Sequence, residues 1–326
     1  MYNVSVSPHV RDKSTSQKIM LDVAIALVPT LAFGVYHFWS DFGARPLMLV
    51  LVSIASCVAF EALFEVITKK PITVFDFSAV VTGMIIAVNL PPTATWWMPV
   101  LGSAFGIVAA KMLFGGLGQN FMNPALAGRC FLTISFTQRM TNFAVDATSS
   151  ATPLAQMKGM DKLEAMDLLK LFLGEHGGCI GEVSAVAILI GAAYLLIKKV
   201  ISPVIPCIYI ISAVAFIAVI RIVSKDDITV NYLVAQALSG GLLVGAFFMA
   251  TDYVTSPITN KGKVVFALLL GLLTALFRTL GSTAEGVSYA IIIGNLLVPL
   301  IEKKTISLPF GCERVKKIKT AKEENK

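Results

Sequence analysis

The sequence predicts an all-α membrane protein that crosses the bilayer many times, and three observations predict it. Hydrophobic residues make up 56% of the 326 residues and charged residues only 14%, whereas a soluble domain carries about 25% charged residues. The apolar residues come in blocks, and several blocks approach the roughly 20 residues that a spanning helix needs. Lys and Arg lie in short clusters between the blocks and in the C-terminal tail, which is the positive-inside pattern. The net charge of +7 therefore indicates orientation in a membrane and not a nucleic-acid partner.

Ten apolar segments are predicted to cross or enter the membrane. They are residues 19–38, 45–67, 78–91, 96–114, 124–137, 183–198, 200–223, 233–250, 263–280 and 285–302. The segments 78–91 and 124–137 are too short for a comfortable crossing. We expect half-helices there, or helices extended by polar ends.

The distribution of basic residues predicts the orientation. If the N-terminus is cytoplasmic and the segments alternate, most of the 27 Lys and Arg residues face the cytoplasm. Half of the exceptions lie in the long loop 138–182, where charge influences topology least. We therefore expect both termini in the cytoplasm and the loop 138–182 outside.

Five segments on each side of this loop suggest an internal duplication. Residues 113–118 and 276–281 both read L-F-x-x-L-G, and Thr82-Gly83 has a counterpart in Ser239-Gly240. An odd number of spans per repeat gives the two repeats opposite topology, as in many transporters. The predicted organisation is an N-terminal cytoplasmic segment (1–18), a five-span repeat (19–137), an external loop (138–182), a second five-span repeat (183–302) and a basic cytoplasmic tail (303–326).

Two glycine- or proline-broken stretches, 115–124 and 281–286, occupy corresponding positions in the predicted repeats. Paired breaks of this kind mark the binding region of inverted-repeat proteins, because non-helical backbone at membrane depth must be buried in protein or line a cavity. The alternative is that both are ordinary turns at the membrane surface.

Carboxylates inside apolar segments are functional candidates because a charge is costly there. Glu61 and Glu65 lie one helical turn apart in the second segment. Asp252 and Glu285 are predicted at helix ends, and Glu182 is predicted to open the sixth segment, where the helix dipole favours a carboxylate. Glu61, Asp252 and Glu285 form a predicted ion path, and structural roles remain the alternative.

The loop 138–182 contains the hydroxyl-rich run D-A-T-S-S-A-T at 146–152. This run resembles the flavinylation motif, roughly D-x-x-S-G-A-T, of a family that contains the D subunits of Rnf electron-transport complexes and the B subunits of sodium-pumping NADH:quinone reductases. The resemblance extends over nearly the whole chain. Further matching stretches are 7–9, 14–20, 118–129, 181–185 and 248–257, with Glu285, Gly286 and Asn295. The short segment before the first span favours the Rnf type.

The resemblance implies that FMN is esterified through its phosphate to Thr152. Ser149, Ser150 and Ala151 would complete the motif, with Ser150 in place of the usual Gly. A non-covalent riboflavin on the inner side is a further implication, and Asn120 and Asn123 could bind its polar edge because amides both donate and accept hydrogen bonds. The alternative is that Asn123 caps a helix that begins at Pro124.

The family implies an electron carrier in the bacterial inner membrane that passes electrons between flavins and couples them to Na+ or H+ translocation. The implied partners are a second FMN-bearing subunit, other membrane subunits, and iron–sulfur and NADH-binding subunits, beside membrane lipid. The resemblance implies that ferredoxin and NAD chemistry takes place on those partners. The glycines at 115–118 do not form a G-x-G-x-x-G nucleotide-binding fingerprint. A small polar solute channel of inverted-repeat fold, or a scaffold subunit without a cofactor, are the alternatives.

Overall fold

Helices occupy all ten predicted segments in the computed structural model, which describes residues 15–145, 148–149, 153–154, 157, 168–225, 228–281 and 286–306. The first helices are α1 (Ser16–His37), α2 (Trp39–Phe42), α3 (Arg45–Ile67), α4 (Ser78–Val88), α5 (Trp97–Ala104), α6 (Pro124–Ser135) and α7 (Thr137–Met140). The strands β1 (Ala144–Val145) and β2 (Thr148–Ser149) pair antiparallel. The helices that follow are α8 (Leu168–Leu173), α9 (Ala185–Ile197), α10 (Val204–Ser224), α11 (Val230–Leu238), α12 (Leu242–Val244), α13 (Asn260–Leu280) and α14 (Val287–Thr305).

The chain is a multi-pass membrane protein by the length and apolar composition of its helices. Within the described ranges, five helices are long and apolar enough to cross a membrane, or six if the bent pair Val230–Leu238 and Leu242–Met249 counts as one span. The predicted eighth segment is helical but bent, since its two parts meet at 58°. The predicted sixth segment is also shorter than expected, since α9 has 13 residues.

The break in the eighth segment is built from two glycines and one arginine. Gly240 and Gly241 have φ of 67° and 66°, a left-handed conformation that glycine adopts without steric cost. Arg278 of α13 donates to the carbonyl oxygens of Gln236, Ser239 and Gly240 at 2.6–3.1 Å. The arginine thus satisfies carbonyl groups that a helix end leaves without intrahelical partners.

Helices α4 and α9 are short, and the turn residues that follow α4 and precede α9 form backbone hydrogen bonds with each other. The Ile180 N–H donates to the Leu90 carbonyl, and the Gly181 N–H donates to the Val88 carbonyl, both at 2.9 Å. Such pairing satisfies backbone groups that cannot stay unpaired at membrane depth. It also joins the two halves of the chain at a point that we call the crossing point (88–90 and 179–181).

Two spans contain π-helical turns. Helix α5 continues as a π-helix over Phe105–Lys111 and ends in a 3-10 turn at Met112–Phe114, and α12 continues as a π-helix over Gly245–Met249. Turns of this type are rare and occur frequently at functional sites. Both lie beside the cavity described below, where they supply Lys111, Phe247 and Phe248.

Small residues allow close helix contacts between and within the halves. A Cβ atom at Gly191 of α9 would lie 2.1 Å from the Ala26 oxygen of α1, and one at Gly271 would lie 2.0 Å from the Ser212 hydroxyl of α10. Small residues at helix interfaces are typical of membrane proteins. The first helix therefore packs on the second half of the chain.

The short sequence matches used to predict a duplication do not share local structure. After Phe114 the chain leaves the helix through Gly115 and Gly116, which have φ of 124° and 96°, whereas α13 continues through Arg278 to Leu280. Gly83 lies inside α4, where a Cβ would meet the backbone of Ile54 at 2.7 Å. Its predicted counterpart Gly240 instead forms a break. The matching glycines thus have different structural roles.

Candidate functional site

A cavity lies between the two halves and is lined by residues of both. Its walls come from α1, α4, the loop after α5, the end of α9 and the segment 247–254. The space measures about 760 Å³, including the part open to solvent. The lining is largely apolar, with a small set of polar groups.

Asn120 and Asn123 both line this cavity, as the sequence suggested, and both are buried. The Asn123 Oδ1 atom accepts from the N–H groups of Ala125 and Leu126 at 3.0 and 3.4 Å, so this residue caps α6. Its amide nitrogen donates to the Met249 carbonyl at 3.4 Å. Asn123 therefore fixes the α6 terminus against the second half. The Asn120 amide nitrogen donates to the Met122 carbonyl at 3.1 Å.

Asp252 lies on the opposite wall of the cavity. The Thr255 hydroxyl donates to its Oδ2 at 3.0 Å, the Val254 N–H donates to its Oδ1 at 3.4 Å, and the Asn120 side chain also hydrogen-bonds to it. Burial raises the pKa of the Asp252 carboxyl, and these hydrogen bonds oppose the rise. Asn120 and Asp252 thus connect the first and second halves across the cavity.

Lys111 is the charged residue of the first half that lines the cavity. Its Nζ donates to both carboxylate oxygens of Glu61 at 2.8 Å and to the Ser78 hydroxyl at 2.6 Å. The two charged side chains are only 2% and 1% exposed. Glu61 is therefore charge-paired at its predicted position, and Lys111 uses all three donors of its ammonium group.

Glu61 is part of a buried polar face of α3. One turn before it, the Cys57 thiol donates to the Ser103 hydroxyl at 3.1 Å, and one turn after it Glu65 accepts from the N–H and hydroxyl of Thr73 at 3.0 and 2.5 Å. Residues spaced by four share one face of a helix. This polar face runs from the end of α3 into the core of the first half.

A second buried cluster holds the crossing point. Arg129 of α6 donates to the Asn89 amide oxygen and the Ser288 hydroxyl, both at 2.7 Å, and lies 3.6 Å from a Glu182 oxygen. The sequence suggested that Glu182 opens this helix, but Ser184 is the residue that caps α9. The carboxylate is instead buried against an arginine of the other half.

The predicted flavin-attachment motif falls mostly outside the described residues. The residues outside the described part of the chain are Ser150, Ala151 and Thr152 of the motif, and Glu285 at the other predicted break. For Ser149 only the backbone is described, and it pairs with Ala144. The described residues just after the motif are buried. Leu154 and Met157 pack with Tyr232, Ala235 and Ala275. A Cβ at Gly240 would lie 2.6 Å from Leu154, so this flank contacts the break between α11 and α12.

From the sequence, Lys111, Arg129 and Arg278 were counted as basic charges that indicate topology, and Arg129 also ends the matching stretch 118–129. The signal that could have found them is their position within or beside apolar blocks, where a cation must be paired or lie in a polar cavity. Their partners are 33 to 159 positions away in the sequence. Spacing along the chain could not have identified those partners.

The fold and cavity define a class of multi-pass membrane protein with broken helices and a buried cavity between two halves. The chain belongs to the NQR2, RnfD, RnfE family, whose model matches residues 3–311. It is 46% identical to the D subunit of the Na+-translocating ferredoxin:NAD+ oxidoreductase complex of Acetobacterium woodii, over 96% of both chains. It is 39% identical to the D subunit of the proton-translocating ferredoxin:NAD+ oxidoreductase complex of Clostridium ljungdahlii, over 96% of this chain and 97% of the relative.

Proposed function

We propose that this chain is the D subunit of an Rnf-type ion-translocating oxidoreductase and carries electrons through the membrane between flavins. The observation that carries the proposal is the similarity to two such subunits over 96% of this chain. Partner subunits would perform the ferredoxin and NAD chemistry. One relative is named for Na+ and the other for protons. The proposed translocated ion is therefore either Na+ or H+.

The proposed topology places ten membrane segments in two inverted five-segment repeats, with both termini in the cytoplasm of a bacterial inner membrane. Support comes from a helix at each predicted segment and from the distribution of Lys and Arg. In this topology the cavity faces the cytoplasmic half of the membrane, and the loop 138–182 lies outside. The proposed domain boundaries are those predicted from the sequence.

The proposed second cofactor is an uncharged flavin, riboflavin, bound without a covalent bond in the cavity. Asn120 would hydrogen-bond its polar edge, and Phe247 and Phe248 supply aromatic surface. Among the cavity-lining residues of the described chain, Lys111 and Asp252 are the charged ones, and Lys111 is already paired with Glu61. This charge balance fits a flavin without a phosphate better than FMN. Bound there, the flavin would supply one- and two-electron redox chemistry.

The proposed first cofactor is FMN esterified through its phosphate to Thr152. Support comes from the register of the run 146–152 against the family motif, in which Ser149, Ser150 and Ala151 precede the acceptor. A covalent bond retains the cofactor on the side of the membrane where a lost flavin could not be recovered. This chain would contribute the acceptor hydroxyl and a loop whose described flank packs on the break between α11 and α12.

The test of the covalent cofactor is mass spectrometry of the peptide 140–158, after expression with the native flavin transferase and partner subunits. We expect an FMN adduct on Thr152 in the native chain and none in Thr152→Ala, with Thr148→Ala as a matched control that keeps the adduct. An adduct on Ser149 or Ser150 would contradict the register. A native chain without any adduct would contradict the covalent cofactor and favour the solute-channel alternative.

A further inference from the structure

The cluster around Arg129 lies beyond the cavity, on the side of the external loop. On α4, Ile85 is the last residue that lines the cavity, and Asn89 follows it by four positions, about 6 Å along a helix axis. On α6, Pro124 lines the cavity, and Arg129 follows it by five positions, about 7.5 Å along the axis. Both segments run outward from the cavity in the proposed topology. The cluster therefore separates the cavity from the external side.

The two halves of the chain meet at this cluster, and each contributes one charge. Arg129 belongs to the first half, and its Nη2 atom lies 3.6 Å from the Oε1 atom of Glu182, which leads into the second half. The two residues are only 8% and 4% exposed. A Cβ atom at Gly241 would lie 2.3 Å from the same Glu182 oxygen. The break between α11 and α12 thus leaves the space that the carboxylate occupies.

Glu182 has the properties of a cation-binding carboxylate. Ionisable side chains inside membrane proteins are costly and typically mark ion pathways. The interface between two inverted halves is also where such proteins bind ions. An unpaired carboxylate at this interface would take up Na+ or H+. In this chain, the guanidinium group of Arg129 occupies the position that such a cation would take.

Arginine is suited to stay in that position. A guanidinium group does not lose its proton in proteins, so its charge is permanent. The Nη1 atom of Arg129 also donates to the Asn89 amide oxygen and to the Ser288 hydroxyl of α14, both at 2.7 Å. The side chain is therefore held from both halves, and a mobile cation would have to displace it. A fixed arginine is one of the electrostatic barriers that exclude cations from membrane pores.

We propose that Arg129 and Glu182 form a permanently filled cation site, which keeps the interface between the halves closed to Na+ and H+. Electrons could then pass between the two sides of the membrane without an ion leak along the same interface. Glu61 and Asp252 of the predicted ion path lie on the cytoplasmic side of this barrier, so an ion that binds to them crosses by another route. This closure depends on the proposed topology but on neither proposed flavin.

The test measures passive cation entry into liposomes that contain the purified full-length chain. A K+ diffusion potential set by valinomycin drives entry, a trapped pH-sensitive dye reports H+, and radioactive Na+ reports Na+ uptake. Arg129→Gln removes the charge, and its amide can still donate to Asn89 and Ser288. We expect this variant to raise the flux of Na+ or H+ by about tenfold over the native chain, because the electrostatic barrier is lost.

Three further variants separate the charge from the packing. Arg129→Gln/Glu182→Gln should be as tight as the native chain, because the carboxylate that attracts the cation is gone. Arg129→Lys should also stay tight, because it keeps a positive charge beside Glu182. The matched control is Arg45→Gln, which removes an arginine that donates to the carbonyl groups of Thr93 and Ala94, and it should leave the flux unchanged.

A second measurement is made on the native chain and needs no variant. Dicyclohexylcarbodiimide adds to protonated carboxyl groups in apolar surroundings and leaves an N-acylurea, with no group lost, which mass spectrometry locates on the peptide 171–198. Because the Arg129 guanidinium stands in place of the proton, native Glu182 should remain unmodified. In Arg129→Gln the same carboxyl should be modified.

Four results would overturn the closed site. The first is an Arg129→Gln chain as tight as the native chain. The second is a leak of equal size in the double variant or in Arg129→Lys, because lost packing and not the released carboxylate would then explain it. The third is an equal leak in Arg45→Gln, and the fourth is modification of native Glu182. A missing FMN adduct at Thr152 would change none of these outcomes, so a failure of the proposed cofactor is distinguishable from a failure of the closed site.

Discussion

At the scale of single residues, the polar groups inside this protein join segments that are distant in sequence. Asn123 illustrates the point, because its oxygen caps α6 and its nitrogen donates to Met249, 126 positions away. The sequence predicted the cap from the Asn-Pro pair, which the structure confirms. It could not predict the second contact, because that contact depends on how the two halves pack.

The first prediction at this scale concerns Asn120. We expect Asn120→Leu to reduce the non-covalent flavin that co-purifies with the chain by about tenfold, because an unsatisfied buried polar group costs about 1–3 kcal/mol. Asn123 is left unchanged, since its loss would also remove a helix cap. The measurement is acid-extracted flavin per mole of purified protein, quantified by fluorescence.

The control is Asn260→Leu, which changes an exposed asparagine at the start of α13 and should leave the extracted flavin unchanged. A comparison of the two variants separates loss of the site from general loss of protein. If Asn120→Leu retains the native amount of flavin, the cofactor is bound elsewhere.

At the scale of elements, the position and length of the apolar blocks predicted where the helices lie well and their continuity poorly. Arg45–Ile67 begins and ends where the sequence predicted. The break at 239–241 was missed because two adjacent glycines inside an apolar block also suit close helix packing. What distinguishes the break is Arg278, whose hydrogen bonds to that backbone form only in the folded protein.

The prediction at this scale compares two glycines with positive φ. Gly43 has φ of 58° with nothing within 4 Å of an added Cβ, whereas Gly240 has φ of 67° with Leu154 at 2.6 Å and Arg278 at 3.0 Å. We expect Gly43→Ala to cost about 1–3 kcal/mol from backbone strain alone, because φ of 58° with ψ of −136° is a sparsely populated conformation. Gly240→Ala should cost more, because the side chains that hold the break must also move.

Thermal unfolding of the two variants in the same detergent would measure this difference. The Gly240→Ala chain should unfold at a lower temperature than the Gly43→Ala chain. Equal unfolding temperatures would show that the contacts of Leu154 and Arg278 with the break contribute little to stability.

At the scale of the whole molecule, the two halves are interleaved and not merely adjacent. The α1 helix packs on α9 through Ala26 and Gly191, and the Tyr194 hydroxyl of α9 donates to Asp22 of α1 at 2.7 Å. The crossing point adds backbone pairing between the halves.

The sequence indicated two halves by the number of segments. The contacts between the halves connect residues that are distant in the chain, so they leave no local sequence pattern. The cavity was predicted only through the loop that contains Asn120 and Asn123, and its opposite wall follows from the interleaving.

The last prediction tests the proposed opposite orientation of the halves. Single cysteines are introduced at exposed loop positions by Asn142→Cys and Lys225→Cys on one proposed side, and by Lys70→Cys and Ile258→Cys on the other. The background carries Cys207→Ala, since Cys207 is the exposed cysteine among the described residues, and Cys312→Ala.

Positive charge concentrated in the proposed cytoplasmic loops sets the orientation of each segment. A membrane-impermeant maleimide added to intact spheroplasts should therefore label positions 142 and 225, and should label positions 70 and 258 only after the membrane is permeabilised. Labelling of 70 or 258 in intact spheroplasts would contradict the proposed topology. It would also place the opening of the cavity on the opposite side of the membrane.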